Sequence, residues 1–377
     1  MDFEFTEEER SVSELARKIL EDFVTNERLK SLEADGDPFA NDAWKALAEA
    51  NLLGVAIPEA HGGIDLGFSA LCLLCEEIGR TVAPLPVYAS LTLAALPLAA
   101  YGSEAEKAEW LPRIASGEAI LTAALSELDS SDPNRPTTHA ERTSEGYRLT
   151  GEKTLVPAGL QAARILVSAS TDDGETGAGL FWVAPGASGV RLEAQKSTDG
   201  QAYAYLALEG VEVSDADILG SVGDGALRWL LERATIARCA MQLGVTERAL
   251  EMTAEYGRER VQFDVAIGSF QAFHQRVADA YIQVEGIRLT TWEAVWMLDR
   301  GLDARDMVNV AKFAASDGAA HSAFACQHLH GGVGIDVDYP LHRYFRWSTQ
   351  IEHELGSAKI QLERLGERIA SGEIAAF

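Results

Sequence analysis

Cysteine is scarce in this chain of 377 residues. Cys72, Cys75, Cys239 and Cys326 are too few and too scattered for a disulfide framework. Cys72 and Cys75 form a CxxC, but it lies inside FSALCLLCEEIGR, an amphipathic helical pattern with no second pair, so both read as core residues rather than a redox or zinc site. Basic charge is also short: 32 Lys and Arg stand against 58 Asp and Glu, a formal net charge of −26. A surface that acidic repels phosphate backbones and anionic lipid, which argues against nucleic-acid and membrane partners. The uncharged stretch 81–102 carries Pro84, Pro86 and Pro97 and reads as a buried helix with a proline-rich entry, not a membrane span. The opening residues, MDFEFTEEERSV, are acidic and lack the apolar core of a signal peptide. The expected compartment is the cytoplasm. No Walker loop, nucleophile elbow or kinase signature is present.

What is present is a large apolar fraction, 47%, enough to bury two or three domains. Three regions follow from pattern, giving a mainly helical α+β chain. Residues 1–120 form a helical domain, with apolar spacing at Val12, Leu15, Ile19 and Leu20 and again at Trp44, Leu47 and Ala48. Residues 121–219 form a small antiparallel β domain of short β-branched segments such as ARILVSAS and GLFWVAP. Residues 220–377 return to helix. Long helices beginning near Gly225, Phe270, Met307 and Glu352 predict a four-helix bundle, the last running to Ile369.

Isolated motifs carry little chemistry. The glycine cluster at residues 331–334 follows a helical pattern rather than a strand, so it fails the context test for a dinucleotide loop. It reads equally as a tight interhelical turn or as backbone that must approach a ligand closely. His321, His328 and His330 lack the partners of a metal site and read as capping or hydrogen-bonded residues. No metal is expected. GSVGDG, residues 220–225, has no phosphate-binding lysine and reads as a linker.

The order of segments says more. LGVAIPEAHGG, YGSEAEKAEWLPRIASGEA, GYRLTGEKTLVPAG, RERVQFDVAIGSFQA and QHLHGGVGIDVDYPLHRYFR fall in the order and spacing of acyl-CoA dehydrogenases. The chain resembles that family over nearly its whole length, and the resemblance implies the same three-part fold. It also implies FAD at a subunit interface, an acyl-CoA substrate, and an electron-transfer flavoprotein as acceptor. In that chemistry a glutamate removes the α-proton while the β-hydrogen leaves as hydride.

By resemblance, Arg260 meets the FAD pyrophosphate, Phe263 packs near the adenine, and Gln271 and Gln327 supply polar contacts. Gly331 and Gly332 let backbone approach the cofactor. In the family these elements serve mostly the neighbouring subunit. The flavin-ring pocket departs from the family pattern. Its Thr-Glu segment becomes residues 126–132, SELDSSD, one residue shorter, with Ser126 keeping a hydroxyl. Its Trp-Ile-Thr becomes Leu155, Val156 and Pro157, without an aromatic face or a terminal hydroxyl. Both family positions for the base are apolar here, Leu355 and Ala234. Glu354 is the nearest candidate, displaced by one residue and therefore by about 100° if helical.

Elements used across the interface are kept, while those of the chain's own site are altered. TLVPAG, LERATIARCA and PLHRYFRW resemble subunits of bacterial α2β2 acyl-CoA dehydrogenases that act on steroid or cholesterol side-chain thioesters. The resemblance therefore implies a homologous partner that carries the glutamate. A self-sufficient enzyme using Glu354, and a scaffold that has lost FAD, remain the alternatives.

Overall fold

The computed structural model describes residues 5–36, 39–130, 132–172 and 177–373. Ser131, part of the altered flavin-ring segment, lies outside the described residues. The chain begins with α1 (Glu7–Phe23), α2 (Asn26–Asp35), α3 (Asn41–Glu49) and α4 (Gly67–Thr81). A π-helical segment, Tyr88–Ala95, runs into α5 (Leu96–Tyr101), and α6 (Glu104–Ala115) closes the region. Local sequence sets these starts. Thr6 with Glu9 and Ser103 with Glu106 form reciprocal capping boxes that satisfy the first free N–H groups of α1 and α6. The stretch from Tyr88 to Leu98 is buried throughout, as its lack of charge predicts.

Strands β1 (Leu121–Ala124), β2 (His139–Arg142), β3 (Gly146–Pro157), β4 (Arg164–Thr171), β5 (Ala178–Val183), β6 (Val190–Gln195) and β7 (Tyr203–Ser214) make the middle sheet. Its path is β1-β4-β2-β3-β7-β6, with β5 on β4. Four of its pairings are antiparallel, but β1 and β2 each lie parallel to β4, so the sheet is mixed. The interior of the sheet carries its own apolar core around Tyr147, Leu149, Ile165, Phe181 and Leu206.

The C-terminal region holds α7 (Ala226–Glu259), α8 (Gln271–Asp299), α9 (Arg305–His330), α10 (Leu341–His353) and α11 (Ala358–Ala370), with a hairpin of β8 (Val261–Gln262) and β9 (Val265–Ala266) between α7 and α8. The expected fourth bundle helix from Glu352 to Ile369 is therefore two helices. The break falls where Leu355 (φ 58°) and Gly356 (φ 102°) enter the left-handed region. Buried Lys312 of α9 stabilises that break by donating to the carbonyls of Ile351 (2.6 Å) and Glu352 (3.2 Å), and Ser316 donates to the latter at 3.0 Å. A cation on the last carbonyls of α10 is the favourable polarity for a helix end. Burial lowers the Lys312 pKa to about 8.

Helix α7 is apolar on most of its circumference because α4, α8, α9 and α10 all pack on it. Its contact with α4 is backbone-close. A Cβ on Gly79 would sit 2.0 Å from the Met241 carbonyl oxygen, and one on Gly244 would sit 1.9 Å from that of Glu76. One apolar core consequently runs from the N-terminal helices into the bundle. No described helix is long and apolar enough to cross a membrane.

Candidate functional site

The residues singled out by sequence fall in two separate places. Ser126, Leu155, Pro157, Glu354 and Leu355 line one small chamber of about 30 Å³, together with Tyr88 and Arg238 among others. Four regions converge there: the π-helical segment, the middle sheet, α7 and the turn after α10. Leu155 takes a left-handed conformation (φ 49°) where the β3–β7 register slips between Lys153 and Val156. Its N–H donates to Gln195 Oε1 at 2.7 Å, which compensates for the broken ladder. Pro157 remains paired with Tyr203, and its carbonyl accepts from the Thr122 hydroxyl at 2.7 Å.

Glu354, the nearest candidate for the base, is largely buried and lies at a helix end. It caps the end of α10, and its carboxylate lies 2.6 Å from Arg238 Nε, with side-chain exposures of 12% and 3%. Tyr203 donates to Glu354 Oε1 at 2.8 Å, and Gln350 Nε2 does so at 3.1 Å. Arg238 also donates to the Tyr203 oxygen at 3.3 Å and lies 3.8 Å from the centroid of the Tyr88 ring. Burial opposes the Arg238 charge, and the Glu354 carboxylate outweighs it, leaving the guanidinium pKa above its ordinary value. Burial also raises the phenol pKa of Tyr88 and Tyr203, with Glu354 adding to the rise at Tyr203. Tyr203 and Gln350 on Oε1 and Arg238 on Oε2 tie the Glu354 carboxylate to its surroundings. Ala234 is fully buried one helical turn before Arg238, on the same face of α7.

Beside the chamber, Glu127 and Lys153 form a buried ion pair at 2.7 Å, with exposures of 3% and 0%. Glu127 also accepts from the Thr137 N–H (2.6 Å) and the Thr138 N–H (2.8 Å). Burial alone would raise its pKa; Lys153 and the two amides hold it at about 2.

Sequence reasoning passed over Arg238 and Tyr203. Arg238 had a signal: it is a lone charge in ATIARCAM, an apolar run in the middle of a long helix. Tyr203 had none, because its role depends on a partner 151 positions away.

The second place is one end of the bundle, where the α7 C-terminus, the α8 N-terminus and the α9 C-terminus meet. Arg260 caps α7 and is exposed, while Phe263 sits at the tip of the β8–β9 hairpin, 87% exposed, with its ring 6.2 Å from that of Phe270. Phe263 and Asp264 both have positive φ, as a two-residue hairpin turn demands. Gln271 opens α8 and is exposed. The Gln327 Nε2 atom is buried without a hydrogen-bond partner, close against Gly334. Gly331 (φ 59°) and Gly332 have nothing within 4 Å of where a Cβ would lie. His330, buried beneath them, stacks on Tyr256 at 4.5 Å and meets the Tyr339 hydroxyl at 3.2 Å.

These residues suit a polar, anionic cofactor: an orphaned amide donor, backbone open to close approach, and an exposed guanidinium. The flavin-ring side fits less well, because Leu155 and Pro157 offer neither an aromatic face nor a hydroxyl. Among the described residues, no group of three His, Cys, Asp or Glu could hold a metal ion.

The family models for the acyl-CoA dehydrogenase N-terminal and C-terminal domains match residues 6–118 and 223–370. The acyl-CoA dehydrogenase FadE27 of Mycobacterium tuberculosis is 39% identical, over 98% of this chain and 99% of its own. The chain belongs to the acyl-CoA dehydrogenase family. Among solved structures, a chain of the ChsE4–ChsE5 complex from M. tuberculosis superimposes with a TM-score of 0.93 at 39% identity, covering all of both chains. A chain of the Tcur3481–Tcur3483 steroid acyl-CoA dehydrogenase, solved as a variant, gives 0.91 at 41% identity, covering 97% of this chain and 99% of that one. Each of these two neighbours pairs two different names, ChsE4 with ChsE5 and Tcur3481 with Tcur3483.

Proposed function

We infer that this chain is the base-lacking subunit of a heteromeric, FAD-dependent acyl-CoA dehydrogenase for bulky, steroid-type acyl-CoA thioesters. The observation that carries this reading is the state of the base. Leu355 and Ala234 occupy both family positions, and the adjacent Glu354 is tied to Arg238, Tyr203 and Gln350. A carboxylate so bound serves as a counter-ion, and the proton-abstracting glutamate belongs to a homologous partner.

In this reading FAD, when bound, supplies the hydride acceptor. This chain's part is to hold it across the interface with Arg260, Phe263, Gln271, Gln327, Gly331 and Gly332. Ser126 contributes only to the incomplete ring pocket. An electron-transfer flavoprotein then takes the electrons. The family resemblance, the exposed clamp at one end of the bundle and the two-chain assemblies among its structural neighbours support the assignment. The domain limits 1–120, 121–219 and 220–377 belong to the same proposal. So does a cytoplasmic location, which suits four buried, free cysteines.

The test is the visible spectrum of the chain purified alone, with FAD quantified against protein, then of the chain co-expressed with a homologue bearing the glutamate. The expected result is substoichiometric flavin alone and stoichiometric flavin with turnover in the pair. Full flavin and turnover from the chain alone would overturn the assignment.

A further inference from the structure

Leu355 is a wall between two pockets. Outside it lies an open pocket of about 210 Å³, whose lining includes Arg228, Thr235, Asn309, Arg364 and Arg368. Inside it lies the chamber of about 30 Å³ bounded by Tyr88, Leu93, Leu125, Tyr203, Arg238 and Glu354. If a thioester sat between the base position and Ser126, this inner chamber would have to receive its acyl chain. Ligand pockets are on the order of 300–1,000 Å³. The chamber has room for little more than a water molecule.

Charge, not only bulk, fills it. The Arg238 guanidinium lies against Tyr88 and pairs with Glu354 at 2.6 Å, while the Tyr203 hydroxyl contacts both ions. The pair is neutral as a unit, so it needs no ligand to balance its charge. A ligand could displace it only by separating two buried ions, which is strongly unfavourable. The turn that carries Glu354 is fixed as well. Gln361 Nε2 donates to the Leu355 and Gly356 carbonyls at 3.2 and 3.0 Å, and Arg364 donates to the former at 3.4 Å.

We propose that the Arg238–Glu354 pair is a built-in plug that takes the volume of an acyl chain and closes this chain's own chamber to acyl-CoA. The plug is a property of this chain alone and does not depend on the heteromeric reading.

The experiment is isothermal titration of the purified chain with octanoyl-CoA and with free CoA, comparing wild type with Arg238→Ala/Glu354→Ala. Removing both ions leaves no unpaired charge behind. Wild type should bind octanoyl-CoA no tighter than free CoA, and the double variant should gain about tenfold or more for octanoyl-CoA alone. A wild-type preference for octanoyl-CoA over CoA overturns the plug, as does a folded double variant without the gain. If circular dichroism shows that the variant does not fold, octanoyl-CoA sites are counted in the co-expressed complex. One site per pair is expected, and two would overturn the proposal. The two readings fail separately. Flavin and turnover in wild type alone remove the subunit assignment, whereas an acyl site in a flavin-free wild-type chain removes only the plug.

Discussion

A guanidinium in the middle of an apolar helix persists only with a partner, and for Arg238 that partner is Glu354. Glu354→Gln should therefore destabilise the chain by about 3–5 kcal/mol, because it strands a buried cation. Urea unfolding checks this. Replacing both residues with Arg238→Met and Glu354→Gln should cost clearly less than the single change. At this scale the sequence was informative about what is missing. Leucine and alanine at positions 355 and 234 cannot take a proton, and no structure is needed to see it. What occupies the vacated space was not legible, because the Arg238–Glu354 contact joins residues far apart in the chain through packing that no local pattern encodes.

Elements show the same division between local and long-range information. The uncharged stretch 81–102 is helical and buried from Tyr88 to Leu98, as its composition predicts, but its π-helical geometry was not legible. The break between α10 and α11 was hidden, since the apolar spacing from Glu352 to Ile369 reads as continuous and only the support from Lys312 and Ser316 reveals the turn. The two parallel pairings to β4 were equally invisible, because register across a crossover depends on distant partners. Arg260, at the end of α7, carries a prediction of its own. Arg260→Ala in the co-expressed complex should weaken FAD retention by about ten- to a hundredfold, the scale of one lost charged hydrogen bond, as read by flavin release on dialysis. The seam between α4 and α8 carries another. Burial raises the Glu76 pKa from 4.5 to about 8, with Arg288 3.8 Å away acting against the rise. The folded chain keeps this proton where the unfolded chain has released it. Stability from this group should therefore fall as pH rises from about 4.5 to 8. Glu76→Gln should flatten that slope in the melting temperature.

Over the whole molecule, the residues proposed to clamp FAD and the Arg238–Glu354 chamber occupy different places, so losing one need not disturb the other. The end of the bundle that carries the proposed clamp exposes apolar side chains: Phe263, Val261 and Ile335 are 87%, 54% and 71% exposed. Side chains that bare are suited to burial against another chain, even one as acidic as this. Phe263→Ser should weaken assembly with the partner by about 2 kcal/mol, the scale of an interface hot spot, and sedimentation velocity reads it directly. The three-part architecture was legible at this scale because composition changes along the chain.

The π-helical segment Tyr88–Ala95 frees the chamber from strict dependence on chain length. A π turn accommodates more residues than an α turn, so deleting a single residue between positions 89 and 95 would let the segment relax into an α-helix. The relaxation would absorb most of the deletion, because eight π-helical residues and seven α-helical ones turn through similar angles, so the Tyr88 ring would stay near the guanidinium it covers. The π-helical segment thus holds a spare residue, and a relative one residue shorter there could keep the same lid on an ordinary α-helix.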